Sequence, residues 1–431
     1  MIKRILTVFI VLISINLAAQ RSNSSPYSFF GIGEEFSPKT VEQASMGGIG
    51  AAYSSNYHLN FINPAALANV RVATYAIGGL SSNLKIQDSK GSQTTSSTGL
   101  SYISLGFPIG KKAGFMVGLQ PVSSVGYSFL TTIDSDNDDI VDEVTSFTGK
   151  GGASRLYGSF GIKVFKGFSL GIEAGYVFGN LENNIINRIV IDDRATKNQE
   201  KIQIRGGSLK VGVLYEKELK NKLILNFGGA FKLSNTFKAE GSDQLYSLKF
   251  TGSGAEIPKV ILSNEPISGN LTNPLESTLG FGLGKSNKWF AGFDYEFKKA
   301  IKDSRITTTT NNTYSYGDSN RFSIGGFYLP KINSISSYWH RVTYRAGIRF
   351  KKTGLLINNT GVANNFTEIN DFGMSFGLGL PLRRQLSNVN IGVEYGKRGT
   401  LANNLIKENY FNFRISLSLN DVNWFVKRKI N

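Results

Sequence analysis

From about residue 72 to residue 420 the chain repeats one pattern, in which apolar side chains alternate with small or polar ones over roughly ten residues at a time. Over residues 101–109, Ile103, Leu105, Phe107 and Ile109 take one face, opposite Tyr102, Ser104 and Gly106. Residues 156–164 set Leu156, Phe160, Ile162 and Val164 against Tyr157, Ser159, Gly161 and Lys163. Residues 342–350 set Val342, Tyr344, Ile348 and Phe350 against Arg345, Gly347 and Arg349, and residues 411–419 close the series with Phe411, Phe413, Ile415, Leu417 and Leu419. A period of two predicts strands with two unlike faces. The second face repeatedly carries Gly, Lys, Arg and Glu, which the inner face of a soluble sandwich does not. The apolar face must then look outward, into lipid, and an open sheet there would leave backbone groups unpaired. The prediction is an all-β fold: an antiparallel transmembrane β-barrel of about 14 strands over residues 71–420, with both ends on one side of the membrane.

The connections between these segments alternate in length. Residues 110–112, 166–167, 220–222, 285–288 and 383–388 are short, and 331–341 is the longest on that side. Residues 89–98, 134–152, 192–201, 239–276, 302–320, 358–370 and 400–408 are long and polar. Short turns belong to the periplasmic side of such barrels and long loops to the exterior.

The N-terminal 70 residues do not alternate. Residues 1–20 read as a secretory signal peptide, with Lys3 and Arg4 ahead of an apolar run and small residues at its end. Residues 21–70 read as a hatch. Their core, residues 45–70, has too many glycines for a stable helix and no strand period, yet is apolar enough to want burial. Gly47, Gly48, Gly50, Asn63, Pro64 and Ala65 mark it. Glycine weakens a strand unless something approaches closely, and the barrel strands put glycine on the inner face. The expectation is that this segment packs in the lumen against glycines such as Gly282, Gly347 and Gly392.

Composition sharpens the picture. The chain has 48 Gly, 30 Phe, 18 Tyr and only 10 Pro, and no Cys, so a disulfide framework or thiolate metal site is excluded. The net charge of +17 falls on the short turns, the lumen face and a basic tail over residues 421–431, which suits attraction to anionic lipid headgroups. The cations do not gather on one face, so nucleic acid is not an expected partner.

Candidate chemistry is sparse. His58 and His340 are far apart and neither has a metal-ligand partner at useful spacing, so no enzyme and no cofactor are expected. Arg155, Lys163, Asp294, Glu296, Arg345, Arg349, Glu394 and Arg414 point into the lumen and are expected to form a network that holds the hatch. Asp134, Asp136, Asp138 and Asp142 sit at the oxygen-ligand spacings of a calcium loop, but position six is Asp139 instead of Gly and position twelve is Thr145 instead of Glu. The loop reads equally as a calcium site and as a solvated acidic connection. Pro121 interrupts the third strand beside Ser123, Ser124 and Gly126. A proline removes a ladder donor, so a bulge or kink and a lateral opening in the wall are expected there.

Met46-Gly47-Gly48-Ile49-Gly50 followed by Asn63-Pro64-Ala65-Ala66 resembles the N-terminal plug motif of the outer-membrane long-chain fatty acid transporter family, the FadL-like barrels. The stretch from Ser25 to Gly33 and the tail with Trp424, Phe425 and Lys427 are similar to a branch of uncharacterised barrels in that family. The resemblance implies a fourteen-stranded barrel with a hatch in its lumen, in the outer membrane, with both termini periplasmic. It implies passive uptake of a hydrophobic, long-chain fatty acid-like small molecule that leaves sideways near the third strand, where Pro121 lies. Some barrels of this type do not transport and serve as subunits of an outer-membrane secretion or barrel-assembly complex, which makes other envelope proteins the alternative partners. The charged, glycine-lined lumen departs from the family's apolar ligand path.

Overall fold

A computed structural model describes residues 24–134, 141–190, 194–251, 253–304, 313–362, 365–382 and 387–422. The expected signal peptide and most of the basic tail lie outside the described residues.

Fourteen antiparallel strands close into one barrel. They are β1 (Ala73–Gln87), β2 (Ser92–Ile109), β3 (Ala113–Ile133), β4 (Glu143–Phe165), β5 (Phe168–Ile189) and β6 (Arg194–Glu218). Interrupted strands follow: β7 (Leu223–Lys232 and Asn235–Phe250), β8 (Glu256–Asn273 and Glu276–Lys285), β9 (Trp289–Lys298 and Lys302–Ser304) and β10 (Tyr314–Tyr316 and Ser319–Tyr328). The last four are β11 (Thr343–Ile357), β12 (Thr367–Pro381), β13 (Asn388–Gly399) and β14 (Lys407–Asp421). Closure is made by β14 on β1, from Asp421↔Ala73 to Lys407↔Gln87. That ladder removes the open edges a sheet would otherwise show.

The outer face is apolar: Ile103, Phe115, Leu156, Leu170, Leu279, Phe376 and Phe413 all stand exposed. The inner face is small and polar, as the alternation predicts. The long polar stretches are a correction. Residues 89–98, 194–201 and most of 239–276, expected as loops, are strand, and the first of these follows a tight turn near residues 88–91. β6 runs 25 residues, where about ten span the hydrocarbon core. Past the lipid both faces meet water or the lumen, so the apolar–polar alternation fades while the ladder hydrogen bonds continue.

The segment from Ser24 to Val72 lies inside the barrel. It holds a 3-10 turn (Pro26–Phe29), a two-residue strand (Glu34–Glu35), a one-turn helix α1 (Val41–Ala44) and a second 3-10 helix (Pro64–Asn69). Thr40 starts α1 with a capping box: its hydroxyl accepts from Gln43 N at 3.2 Å, and Gln43 Oε1 accepts from Thr40 N at 3.1 Å. Asn63 caps the second 3-10 helix by accepting from Ala65 N, with Pro64 at the first helical position where no donor is needed.

Candidate functional site: the occupied lumen and the break in its wall

Burial of the inner segment is nearly complete from Val41 to Val70, with Met46, Phe61, Ala65 and Leu67 at zero exposure. What lets a peptide come this close to a barrel wall is the absence of side chains on the wall. A Cβ on Gly114 or Gly161 would overlap the Leu67 region, one on Gly171 would overlap Pro64 and Ala65, and one on Gly228 would overlap Ala51. Across the lumen, Gly325 and Gly347 abut Met46, while Gly377 and Gly392 abut Ser45. The contacts come from nearly every side of the barrel at one level. Gly282, expected among them, is instead covered by Phe290 of the neighbouring strand, and Gly280 takes its place against Ala51.

Hydrogen bonds tie the same segment to strands far apart in sequence. Gly47 N donates to Ser375 Oγ at 2.8 Å, and Gly50 N and Ala51 N both donate to Asp294 Oδ2 at 2.7 and 2.9 Å. Asn63 Nδ2 donates to the Val213 carbonyl at 2.9 Å and Lys210 Nζ to the Phe61 carbonyl at 2.8 Å. Buried backbone groups of a segment with little regular structure need such partners.

The charged side chains form several clusters instead of one network. Arg349 bonds Asp371 and Glu394, and Glu394 also bonds Arg414 at 2.6 Å. Arg155 and Lys210 share Glu173 at 2.8 and 3.0 Å. Glu296 pairs with Arg321 at 2.6 Å. Three expected members form no ion pair among the described residues. Asp294 holds the inner segment through its backbone N–H groups, Arg345 donates to the neutral Asn390 at 3.0 Å, and Lys163 sits beside the Lys166-Gly167 turn. Sequence parity shows that a side chain faces the lumen but not its depth, which decides its partner. Parity also marks Glu173, Lys210 and Arg321 as inward, and they join these clusters although they are not among the expected members.

The wall breaks between β2 and β3. Their ladder covers only Ile109↔Ala113 to Ile103↔Leu119. Beyond it β2 stays with β1 up to Ser92↔Gln87, while β3 stays with β4 up to Ile133↔Glu143. The split starts where Pro121 lacks a donor, and a register shift against β4 between Pro121 and Ser123 makes Val122 an extra residue. The inner segment then takes over the β3 edge. Glu35 and Glu34 pair with Ser123 and Ser124, Phe36 N donates to the Val122 carbonyl at 2.7 Å, and Gly126 N donates to Ser28 Oγ at 3.1 Å. Past the bulge, Val125 and Tyr127 pack with Ile32, Val177, Ile204 and Phe237 in an apolar cluster inside the barrel. A cavity of about 470 Å³ lies above the occupied level and reaches this break, where Leu100, Gln120 and Pro121 line it.

His58 is buried with Nε2 4.0 Å from Glu42, and His340 is exposed in the 3-10 turn Trp339–Arg341. Among the described residues no group of three His, Asp or Glu converges as a metal site. Asp136 and Asp138 of the acidic loop lie outside the described residues.

A family model described as BamG matches residues 1–431. No curated protein matches the chain. Among solved structures, the toluene transporter TodX of P. putida is similar at 16% identity, over 89% of this chain and 99% of that one, with a TM-score of 0.58. A FadL homologue of Pseudomonas aeruginosa is similar at 14% identity, over 89% and 98% of the chains, with a TM-score of 0.56. The monoaromatic hydrocarbon channel CymD gives 14% identity, 88% and 96% coverage and a TM-score of 0.54. These likenesses establish a shared fold, the β-barrel of the FadL type.

Proposed function

This chain belongs to the BamG family, and from that premise we propose that it is an outer-membrane barrel serving as a non-transporting subunit of a secretion or barrel-assembly complex. The observation that carries this reading is how the inner segment is held. A gate must leave its seat, and here leaving would strip partners from buried groups on several strands, each worth roughly 1–3 kcal/mol when orphaned. Exposed Ile335, Tyr338 and Trp339 on the connection over residues 329–342 give an envelope partner an apolar contact. An even strand number and tight turns favour the periplasm for that end and for both ends of the barrel. The test is purification of the full chain in mild detergent, with mass spectrometry of what accompanies it and conductance in planar bilayers. Stoichiometric envelope proteins and a silent pore are expected. A barrel that purifies alone and passes apolar substrates would reverse the reading.

A second reading has its own observation. The break between β2 and β3, reached by the cavity, suits passive uptake of a hydrophobic, long-chain fatty acid-like molecule with lateral exit. Proteins of the same fold include a monoaromatic hydrocarbon channel and a toluene transporter. Cysteines at Ser123 and at its nearest β2 residue should block uptake when oxidised and restore it when reduced. Uptake indifferent to the cross-link leaves the subunit reading alone.

A further inference from the structure

The cavity above the occupied level is lined by eleven Lys and Arg and six Asp and Glu. Most of the cations are spoken for: Lys298 bonds Glu35 at 2.6 Å, Arg321 bonds Glu296, and Arg349 bonds Asp371 and Glu394. Among the described residues, Lys39, Lys232 and Lys351 have no carboxylate within 4.0 Å. Lys39 faces Arg321, Arg349 and Lys351, and of the carboxylates near it Glu296 is taken by Arg321 while Asp294 accepts from Gly50 N and Ala51 N. Lys351 and Lys232 both lie near Glu35, which is held by Lys298, and Lys232 also lies across the ladder from Glu276, which it shares with Lys298. Half-buried ammonium groups in a cavity where cations outnumber carboxylates are costly, and an anion offsets the cost.

The position of the wall break says where such an anion comes from. Outward residues of β2 change from apolar Ile103 and Leu100 to Thr98, Ser96 and Thr94 within a few residues. The ladder to β3 stops at Ile103, and Gly99, Leu100 and Ser101 line the cavity. The cavity therefore opens at the upper border of the apolar band, at the level of lipid headgroups, and not at the level of acyl chains. We propose that this cavity holds the phosphate of an outer-leaflet lipid headgroup, reached through the β2–β3 break and bound by Lys39, Lys232 and Lys351. Lysine binds phosphate as a point charge and needs no fixed fork geometry, which suits three side chains from different elements. The proposal goes beyond the function argued above and holds under either reading of it.

The full chain, purified from outer membranes in mild detergent, should retain about one phosphate-bearing lipid per barrel by native mass spectrometry and phosphorus assay, and lose it at about 1 M salt, where charge attraction is screened. The triple variant Lys39→Gln, Lys232→Gln, Lys351→Gln, shown folded by heat-modifiable migration, should lose occupancy about ten-fold or more. Should the triple variant not fold, Lys39→Gln alone carries the test, because Lys39 lies outside the barrel strands. Lipid-stripped protein should rebind lipid from anionic phospholipid vesicles but not inorganic phosphate. Wild type without bound phosphate, an unaffected variant, a retained fatty acid in place of a phospholipid, or equal rebinding of inorganic phosphate would each overturn the proposal.

Discussion

Asp294 shows how one side chain organises the lumen. Its Oδ2 accepts from two successive backbone N–H groups of the inner segment, and a charged acceptor makes both bonds stronger than neutral ones. Asp294→Asn should cost about 1–3 kcal/mol in unfolding free energy, read by urea titration of the detergent-solubilised barrel; a change below measurement error would mean that the segment is held elsewhere. Gly347 tests the fit from the wall. Gly347→Leu should displace Met46 and Gly47 and raise single-channel conductance in a planar bilayer. Gly158→Leu, at a position where an added Cβ meets only the Phe115 ring at 3.8 Å, should leave conductance as it was. His58 adds a pH dependence. Burial, partly opposed by Glu42 and reinforced by Arg345, lowers its pKa from 6.5 to about 4. The unfolded chain then binds the proton more readily than the folded one. Stability from neutral His58 is full above about 6.5 and falls as pH drops toward 4, by up to roughly 3 kcal/mol. His58→Gln should flatten that part of the stability–pH curve, and an unchanged curve would assign the effect to other groups.

At the scale of elements, the two-residue strand Glu34–Glu35 decides what the wall break is. It pairs with β3 as a fifteenth strand would, but belongs to the inner segment. Facing antiparallel residues lie within disulfide reach. Cysteines at Glu34 and Ser124 should therefore cross-link on mild oxidation, seen as a mobility shift on gels, while a pair at Glu34 and Thr98 should not. Failure of the first pair would show the strand parted from the wall. Much of this element was legible in the sequence. Pro121 flagged the irregular strand because a missing N–H is a local property. The partner that takes over the β3 edge was not legible, because Glu34 and Ser124 meet only through the closed barrel. The same division runs through the molecule. Period-two alternation marked the membrane band of nearly every strand, and inward glycines marked where something must approach. Alternation failed for the extensions of β6 to β8, where no lipid distinguishes the two faces, and depth along the strand, which sets ion-pair partners, has no signal in the period.

At the scale of the whole molecule, the barrel and its filling form one object. Arg398 joins Glu34 of the inner segment to Glu408 of β14, and Asn390 of β13 donates to Glu42 at 2.9 Å. A native barrel in detergent should keep residues 40–72 protected from protease as long as its strands, and earlier cleavage at Lys39 or Arg71 would show that the two separate. The ring of glycine contacts carries a consequence for how the molecule is made. A segment touched from all sides cannot be threaded into a finished cylinder past overlapping backbone. It must be in place before β14 meets β1, and it is covalently joined to β1 at Ala73. The N-terminal segment is then a mandrel: the seam seals over a centre already occupied.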